Sequence, residues 1–559
     1  MISNDEIASI LERFGGLLRL TGENPFRARA YLHAADTIRH LAEPAVDLAA
    51  GDRLREIAGI GEGIASAVAE IAATGSFRGL DSLSARYPPS LLDLLALPGV
   101  GPKTVIRLYG EFGIADLAGV EAAVSRGVFR DAKGLGQRFE ADLKVALAAI
   151  GARDGRIPIG RALPAARSLQ AALRRLLPGR VEIAGGVRRF AETVNCLSVV
   201  VEADDVAVTT AAIASMPLVV KVAEQRDDRL RVRLQSGEES DIVLAKPSEF
   251  GVVLLQATGP ASHIDRLGPL PHGAGDETQV YAALGLPWIP PELRSTETDW
   301  GYLARITALI GRADLRGDLH CHSTWSDGSA PIAAMESAAA ALGYDYLGIT
   351  DHSRGLGVAR GLDVGRLRAQ RREIVGLTGG IDVLHGAEVE VHRDGRLDYD
   401  DETLASLDIV VASLHSGLGR DRATLTDRLI RTIANPHVDI IAHPSGRLID
   451  RRPGGDFDWP RVFAAAAEHG VALEINSDPS RLDLDAEMAH DALAAGCLLS
   501  INCDAHTPES FELIEFGIAV ARQAGATVDR VINAWPLEQL RHWLAERGRQ
   551  PRPDLPGEV

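Results

Sequence analysis

The 559-residue chain holds only four cysteines, Cys196, Cys321, Cys497 and Cys503, scattered and without a C-x-x-C pair. That excludes a disulfide framework and fits buried, reduced thiols in a cytoplasmic protein. Long apolar runs are missing. Nothing approaches the roughly 18 uninterrupted apolar residues of a membrane span, so no membrane partner is expected. The opening "MISNDEIASILERFGG" lacks a basic region followed by an apolar one, and no signal peptide is expected. Positive charge is short as well: 59 Lys and Arg face 77 Asp and Glu, a formal net charge of −18. This argues against a large surface that coats DNA without specificity. It leaves room for contact through backbone amides, or for a site in which bound cations carry the positive charge.

One shortage is local. "GGVRRFAETVNCLSVVVE" (185–202) opens with two glycines that free the backbone and two arginines suited to phosphate. The alternating, mostly apolar run behind them reads as a buried strand. Phosphoryl-transfer enzymes of this layout need carboxylates on that strand to hold Mg²⁺. Here it offers Asn195, Cys196, Leu197 and Ser198.

What is present is 46% hydrophobic residues in alternating helix and strand patterns, on a chain too long for one core. The expectation is a multidomain α/β protein. Residues 1–150 are Ala/Leu-rich and helical, and 151–294 mix helices with short strands. The proline-rich "LGLPWIPPELR" (284–294) reads as an extended boundary, followed by a linker over 295–314. Residues 315–550 alternate β and α, and the tail "RQPRPDLPGEV" is expected to be disordered.

Three stretches of the first region share one design: a short helix, a G-x-G turn, and a second helix starting at once. The glycine pairs are Gly59/Gly61, Gly99/Gly101 and Gly134/Gly136. Glycine permits positive φ, and the next helix points free N–H groups at an anion. This resembles the helix-hairpin-helix motif, which grips a DNA phosphate without reading bases. One copy alone reads as an ordinary turn between helices. The second copy, with Pro98, Lys103 and Thr104, lies close to the motif's consensus, and the third is weak. Two good copies in one helical domain favour DNA binding.

The last region has ligands in excess. "RGDLHCHSTWSDGS" puts His320 and His322 on one face of a strand, with Asp327 in the turn that follows. Later apolar runs end in Asp351 and His352, Glu388, His415, His443, a site near Asn476, and Asp504 with His506. Seven strands separated by helices form a parallel β/α barrel, and strand C-termini converge on one rim. The pattern therefore gathers these residues in one pocket. Mixed imidazole and carboxylate donors suit Mn²⁺, Zn²⁺ or Fe²⁺ better than Mg²⁺. Closely spaced cations of this kind serve phosphoester hydrolysis. Arg447, in "HPSGR", reads equally as a phosphate clamp or as an exposed loop arginine.

The order of these parts resembles a bacterial family X DNA polymerase with a C-terminal polymerase-and-histidinol-phosphatase (PHP) domain. The resemblance covers nearly the whole chain, including "NPFRARAYLHAADTIRHL". It implies an N-terminal helix-hairpin-helix domain, a central α+β nucleotidyltransferase-like palm and thumb, and a (β/α)7 PHP barrel. The family turn G-S-x-R-R-x-x-E-T is matched by Gly185, Gly186, Arg188, Arg189, Glu192 and Thr193, with glycine for the serine. The two family aspartates fall on Cys196 and Ser198, while the third is present as Asp241. Two Mg²⁺ ions need bridging carboxylates, so polymerisation is expected to be lost. A gap-filling polymerase stands as the alternative. Arg188 is read either as a triphosphate contact or as a partner of Glu192.

The aromatic steric-gate region is altered ("LLQATGPASH"). The Schiff-base lysine position is Ala67, so a lyase is not expected. All nine PHP ligand positions are matched: His320, His322, Asp327, His352, Glu388, His415, His443, Asp504 and His506. The resemblance implies up to three ions, Mn²⁺ or Zn²⁺, and a 3′→5′ exonuclease. The expected partner is gapped, nicked or 3′-recessed DNA bound by a monomer. A small-molecule phosphatase is a second alternative.

Overall fold

The computed structural model describes residues 2–39, 41, 43–97, 100–130, 132, 134–151, 155–295 and 308–546. They fall into two compact units, divided between Arg294 and Ser295. The expected disordered tail lies outside the described residues.

The first unit opens with helix Asn4–Thr21, started by a capping box of Ser3 and Glu6 and stopped at Gly22, which takes the left-handed conformation at φ 72°. Ile7, Leu11, Phe14 and Leu18 recur at helical spacing and are buried in the core of the N-terminal helices. Further along, helix Ile159–Leu176 precedes a five-stranded sheet. Its strands are β1 (Val181–Ile183), β2 (Leu197–Glu202), β3 (Val219–Arg226), β4 (Arg229–Leu234) and β5 (Glu239–Ala245). Their spatial order is β1-β2-β5-β4-β3. β2 and β5 run parallel with Ser198 opposite Asp241, and β4 runs antiparallel to β5 with Arg231 opposite Asp241. These two registers decide what Ser198 and Asp241 face.

The second unit is a seven-stranded parallel sheet in sequence order: β6 (Gly317–Cys321), β7 (Tyr346–Ile349), β8 (Asp382–Glu390), β9 (Ile409–Ser413), β10 (Ile440–Ile441), β11 (Ala472–Asn476) and β12 (Leu498–Asn502). Most of these strand residues are buried, as expected where helices cover a parallel sheet. Just past its ends the sheet curls nearly shut. Cys321 bridges Ala505 in parallel, and His322 N–H donates to the Ala505 carbonyl at 2.8 Å. The expected barrel is present, and all seven strand C-termini meet on one rim.

The connecting segments are tied to the units they adjoin. The proline-rich connector is anchored at its end. Arg294 is 2% exposed and holds both oxygens of buried Glu277, at 2.8 and 3.0 Å, because a buried carboxylate requires a matched cation. The described part of the expected linker belongs to the barrel unit: Ile310 is fully buried and its N–H donates to the Ala526 carbonyl at 3.0 Å. All four cysteines are free. Three are buried and Cys196 is half-buried.

Candidate metal centre

The rim collects eight of the nine expected ligands into three groups, within each of which the donor atoms lie inside 4.8 Å of one another. They are His322, Asp327, His352 and His506; His320, His322 and Asp504; and His352, Glu388 and His415. His322 and His352 are each shared by two groups, so the three form one continuous cluster. The ninth residue, His443, joins through Glu388, with Nε2 at 3.1 Å from Oε1. Glu388 is the hub. Imidazole nitrogens of His320, His322, His352 and His415 also face it, at 3.5, 3.6, 2.6 and 3.3 Å. Two of the candidate ligands, His443 at φ 29° and Asp504 at φ 51°, sit on left-handed backbone that costs energy for a side-chain-bearing residue.

The donor atoms have the signature of a cation site. His320 Nε2 and both ring nitrogens of His322 are buried without a hydrogen-bond partner. Unpaired buried polar atoms are costly unless something binds them. A set that converges from several strands fits divalent cations held by imidazole and carboxylate.

Several rings are turned by what grips their far side. Nδ1 of His320 bonds Glu474 Oε1 at 2.8 Å, Nδ1 of His415 bonds Glu390 Oε2 at 2.7 Å, and Nδ1 of His506 bonds the Asp504 carbonyl at 2.8 Å. An acceptor at Nδ1 fixes the proton there and leaves the Nε2 lone pair aimed into the cluster. Charge is arranged to match. Burial opposes ionisation of Glu388 and Asp504, yet the surrounding imidazoles hold both carboxyls well below the usual range. Burial, with the charges of His506 and His352, presses His322 down to about 3, so its imidazole stays neutral, as a ligand must.

Residues beyond the sequence-predicted set complete the site. Glu474 is fully buried on β11 and braces His320, the His443 N–H and Asn502. Its signal was an acid inside an apolar strand, two residues before Asn476. Asp351 accepts from the N–H and hydroxyl groups of Ser323 and Ser326, and so fixes the turn that delivers Asp327. Arg447 is held within its own loop region. Its guanidinium is engaged by the carbonyls of Arg481 and Leu482 and by Asp485, making it a brace for its own loop.

The palm cleft is arranged differently. Asp241 accepts both hydrogen bonds of a bidentate pair from Arg231, at 2.7 and 2.9 Å. Cys196 Sγ stands 3.8 Å from Asp241 Oδ2, and burial together with that carboxylate pushes its thiol up, away from thiolate. Asp205 caps helix Val206–Ala214 by accepting from Ala207 and Val208. The residues present do not fit a two-Mg²⁺ site. Arg188 pairs with Glu277, at 2.8 and 2.9 Å, instead of Glu192, and also donates to Thr258 Oγ1. Gly185 has φ 64°, and a Cβ there would come within 3.0 Å of Ser198 Cβ, so the turn itself is kept by close packing. Gly186 is equally confined: its Cβ would meet Val194 at 2.7 Å.

At the N-terminal turns, Gly59 adopts φ 84° and Gly61 caps helix Glu62–Thr74, while Gly101 caps helix Pro102–Phe112. Gly99 lies outside the described residues. The middle residues Ile60 and Val100 are buried, whereas a Cβ on Gly61 or Gly101 would meet nothing within 4 Å. The turns are thus pinned by one apolar residue and bare on the side of the helix N-terminus. Lys103 is exposed beside the second, and Thr104 half-buried.

The comparisons with known proteins agree with this division. A helix-hairpin-helix domain model matches residues 2–77, a SAM-like helix-hairpin-helix tandem matches 91–149, and a PHP domain model matches 318–477. The tandem covers the third glycine turn, the weakest by sequence. The DNA polymerase/3′-5′ exonuclease PolX of Bacillus subtilis (strain 168) is 34% identical over 96% of this chain and 99% of its own length. Probable phosphatases of Edwardsiella ictaluri and of a Thermoanaerobacter species are 32% and 31% identical over 43% and 42% of this chain, covering 97% and 96% of theirs. The first of these relationships spans nearly the whole chain: the chain belongs to the bacterial PolX family, with helix-hairpin-helix and PHP domains.

Proposed function

We propose that the protein is a metal-dependent DNA 3′→5′ exonuclease or 3′-end phosphodiesterase working through the barrel rim, and that its palm no longer polymerises. The observation that carries this is the continuous cluster of ligand atoms at the strand ends. Mn²⁺ or Zn²⁺, up to three ions, are the cations its donors favour. When bound, they supply Lewis acidity that neutralises phosphate oxygens and makes a nucleophile available at neutral pH. The chain's part is to hold them: Glu388 at the centre, neutral His322 between two groups, and Glu474 and Glu390 setting the rings of His320 and His415. Asp327 and His506, each with a side chain 37% exposed, mark the side from which substrate enters.

DNA as substrate rests on the helix-hairpin-helix turns, whose open glycines and Lys103 suit a phosphate backbone, and on the PolX relative's own exonuclease name. Gapped, nicked or 3′-recessed duplex is the expected form, bound by a cytoplasmic monomer. Among the described residues no helix is long and apolar enough to cross a membrane. The phosphatase relatives favour a second reading, hydrolysis of a small phosphomonoester such as histidinol phosphate, which leaves the turns without a purpose.

His320→Ala with His322→Ala is expected to abolish Mn²⁺-dependent release of nucleotides from a 3′-recessed duplex. Undiminished degradation by this variant overturns the assignment. Primer extension with four dNTPs is expected to be absent, and robust synthesis lost on Asp241→Ala overturns the reading of the palm. Faster turnover of histidinol phosphate than of DNA ends would select the second reading.

A further inference from the structure

Beside the third ligand group lies a cavity of about 500 Å³, lined by Glu390, His392, Arg393, Asp394, Arg396 and Ser416 among others. It adjoins the cluster through Glu390, whose carboxylate grips His415 and lies 3.4 Å from the Ser416 hydroxyl. One wall is a tight hairpin after β8. Val391 pairs antiparallel with Leu397, the His392 N–H donates to the Arg396 carbonyl at 2.8 Å, and Gly395 turns at φ 87°. A Cβ on Gly395 would meet the Arg428 carbonyl at 3.0 Å, so the hairpin is seated directly on helix Arg422–Ile433.

The wall is built around Arg428, which is fully buried. Its guanidinium donates to the carbonyls of Val391, His392 and Ser416, tying the hairpin to the loop that follows β9. It makes no ion pair among the described residues. Arg393 on the hairpin lines the cavity, and Arg420 stands on the adjoining loop near Arg428: a Cβ on Gly417 would lie 3.3 Å from Arg428 Nη1 and 4.0 Å from Arg420 Nε. Neither Arg393 nor Arg420 forms a hydrogen bond or ion pair with the described residues; of the acids lining the cavity, Glu390 accepts from His415 and Asp394 pairs with Arg396 at 2.8 Å. Two guanidiniums that no carboxylate holds by an ion pair, next to a phosphoester-cleaving centre, suit an anion.

We propose that this cavity is the subsite for the DNA strand being trimmed, holding a backbone phosphate next to the scissile bond, with Arg393 and Arg420 touching that phosphate and Arg428 as the positioning residue behind them. The proposal rests on the nuclease reading above and replaces Arg447 as the phosphate clamp. It also explains how one barrel serves a polymeric substrate: a small phosphomonoester has no neighbouring phosphate to place there.

The test is the full-length chain carrying Arg393→Gln and Arg420→Gln, loaded with Mn²⁺. Two substrates are compared, a 3′-recessed duplex and bis(p-nitrophenyl) phosphate, a phosphodiester with no strand. KM for the duplex is expected to rise about tenfold or more, and its salt dependence to weaken by roughly 0.7–0.9 in log–log slope for each phosphate that the variant no longer neutralises. Metal content and turnover of the small ester stay as in wild type. An unchanged KM and salt slope overturn the subsite. So does a parallel fall in metal content and small-ester turnover, which would make the arginines braces of the centre. A wild-type protein that cleaves the small ester and not DNA sinks the nuclease reading instead. The subsite is then judged by photo-crosslinking of an oligonucleotide with a 3′-terminal 4-thiothymidine, where labelling of peptides containing Arg393 or Arg420 supports it and labelling elsewhere alone removes it.

Discussion

The barrel rim and the palm cleft each set a carboxylate against basic side chains, and the kind of base separates them. Around Glu388 the bases are imidazoles, which shed a proton and then offer a lone pair to a metal. Against Asp241 the base is Arg231, which never sheds its proton and has no lone pair to offer. Both regions neutralise their acids. Only the first does so reversibly, so only the first exchanges its protons for cations. In the palm, Cys196 and Ser198 offer no carboxylate, and Asp241 is already engaged by a resident cation.

Three experiments press on this contrast, beginning with the largest effect. Burial would raise Glu277, but Arg294 and Arg188 hold it down to about 2, against 4.5 as its ordinary value. A carboxylate lowered on folding stabilises the fold fully above its ordinary pKa and loses that contribution as pH falls through the folded value. Denaturant melts should thus lose about 3 kcal/mol between pH 4.5 and 2, and Glu277→Gln should flatten that slope. A slope equally steep in the variant would show that these guanidinium pairs are not the acid-sensitive element. Next, Glu474→Gln keeps the shape of β11 and weakens its grip on the His320 ring. It should lower metal affinity by about 10–100-fold in a chelator competition. An unaltered affinity would mean that the ring is set by packing alone.

The smallest effect is a gain in the palm. Cys196→Asp with Ser198→Asp should give no Mg²⁺-dependent stabilisation while Arg231 still engages Asp241. Adding Arg231→Gln should give roughly 1.4 kcal/mol at ten times the Kd, a shift of a few degrees in Tm. Stabilisation already present in the double variant would contradict the role given to Arg231.

The sequence showed most of the rim because the candidate ligands other than Asp327 stand at or just past the ends of apolar strands, and parallel strands of a barrel end together. It showed less of what supports the ligands. Glu474 and Glu390 stand two residues from Asn476 and Glu388, a spacing that puts them on the same side of a strand, but their bonds to His320 and His415 depend on which strands are neighbours. The Arg231–Asp241 pair needs the β4–β5 register, and Arg188–Glu277 spans 89 positions in the chain. Arg447 reads alike as clamp or brace until its acceptors are seen. The connector looked extended because prolines disfavour helix, and its anchoring by Arg294 came from a partner 17 residues upstream.

The near closure of the barrel bears on how the protein is made. Each strand of the rim contributes a piece of the centre, from His320 on the first to Asp504 and His506 after the last. The centre is therefore whole only once the chain has been made from His320 through His506, and a product cut short anywhere inside the barrel lacks part of its ligand set.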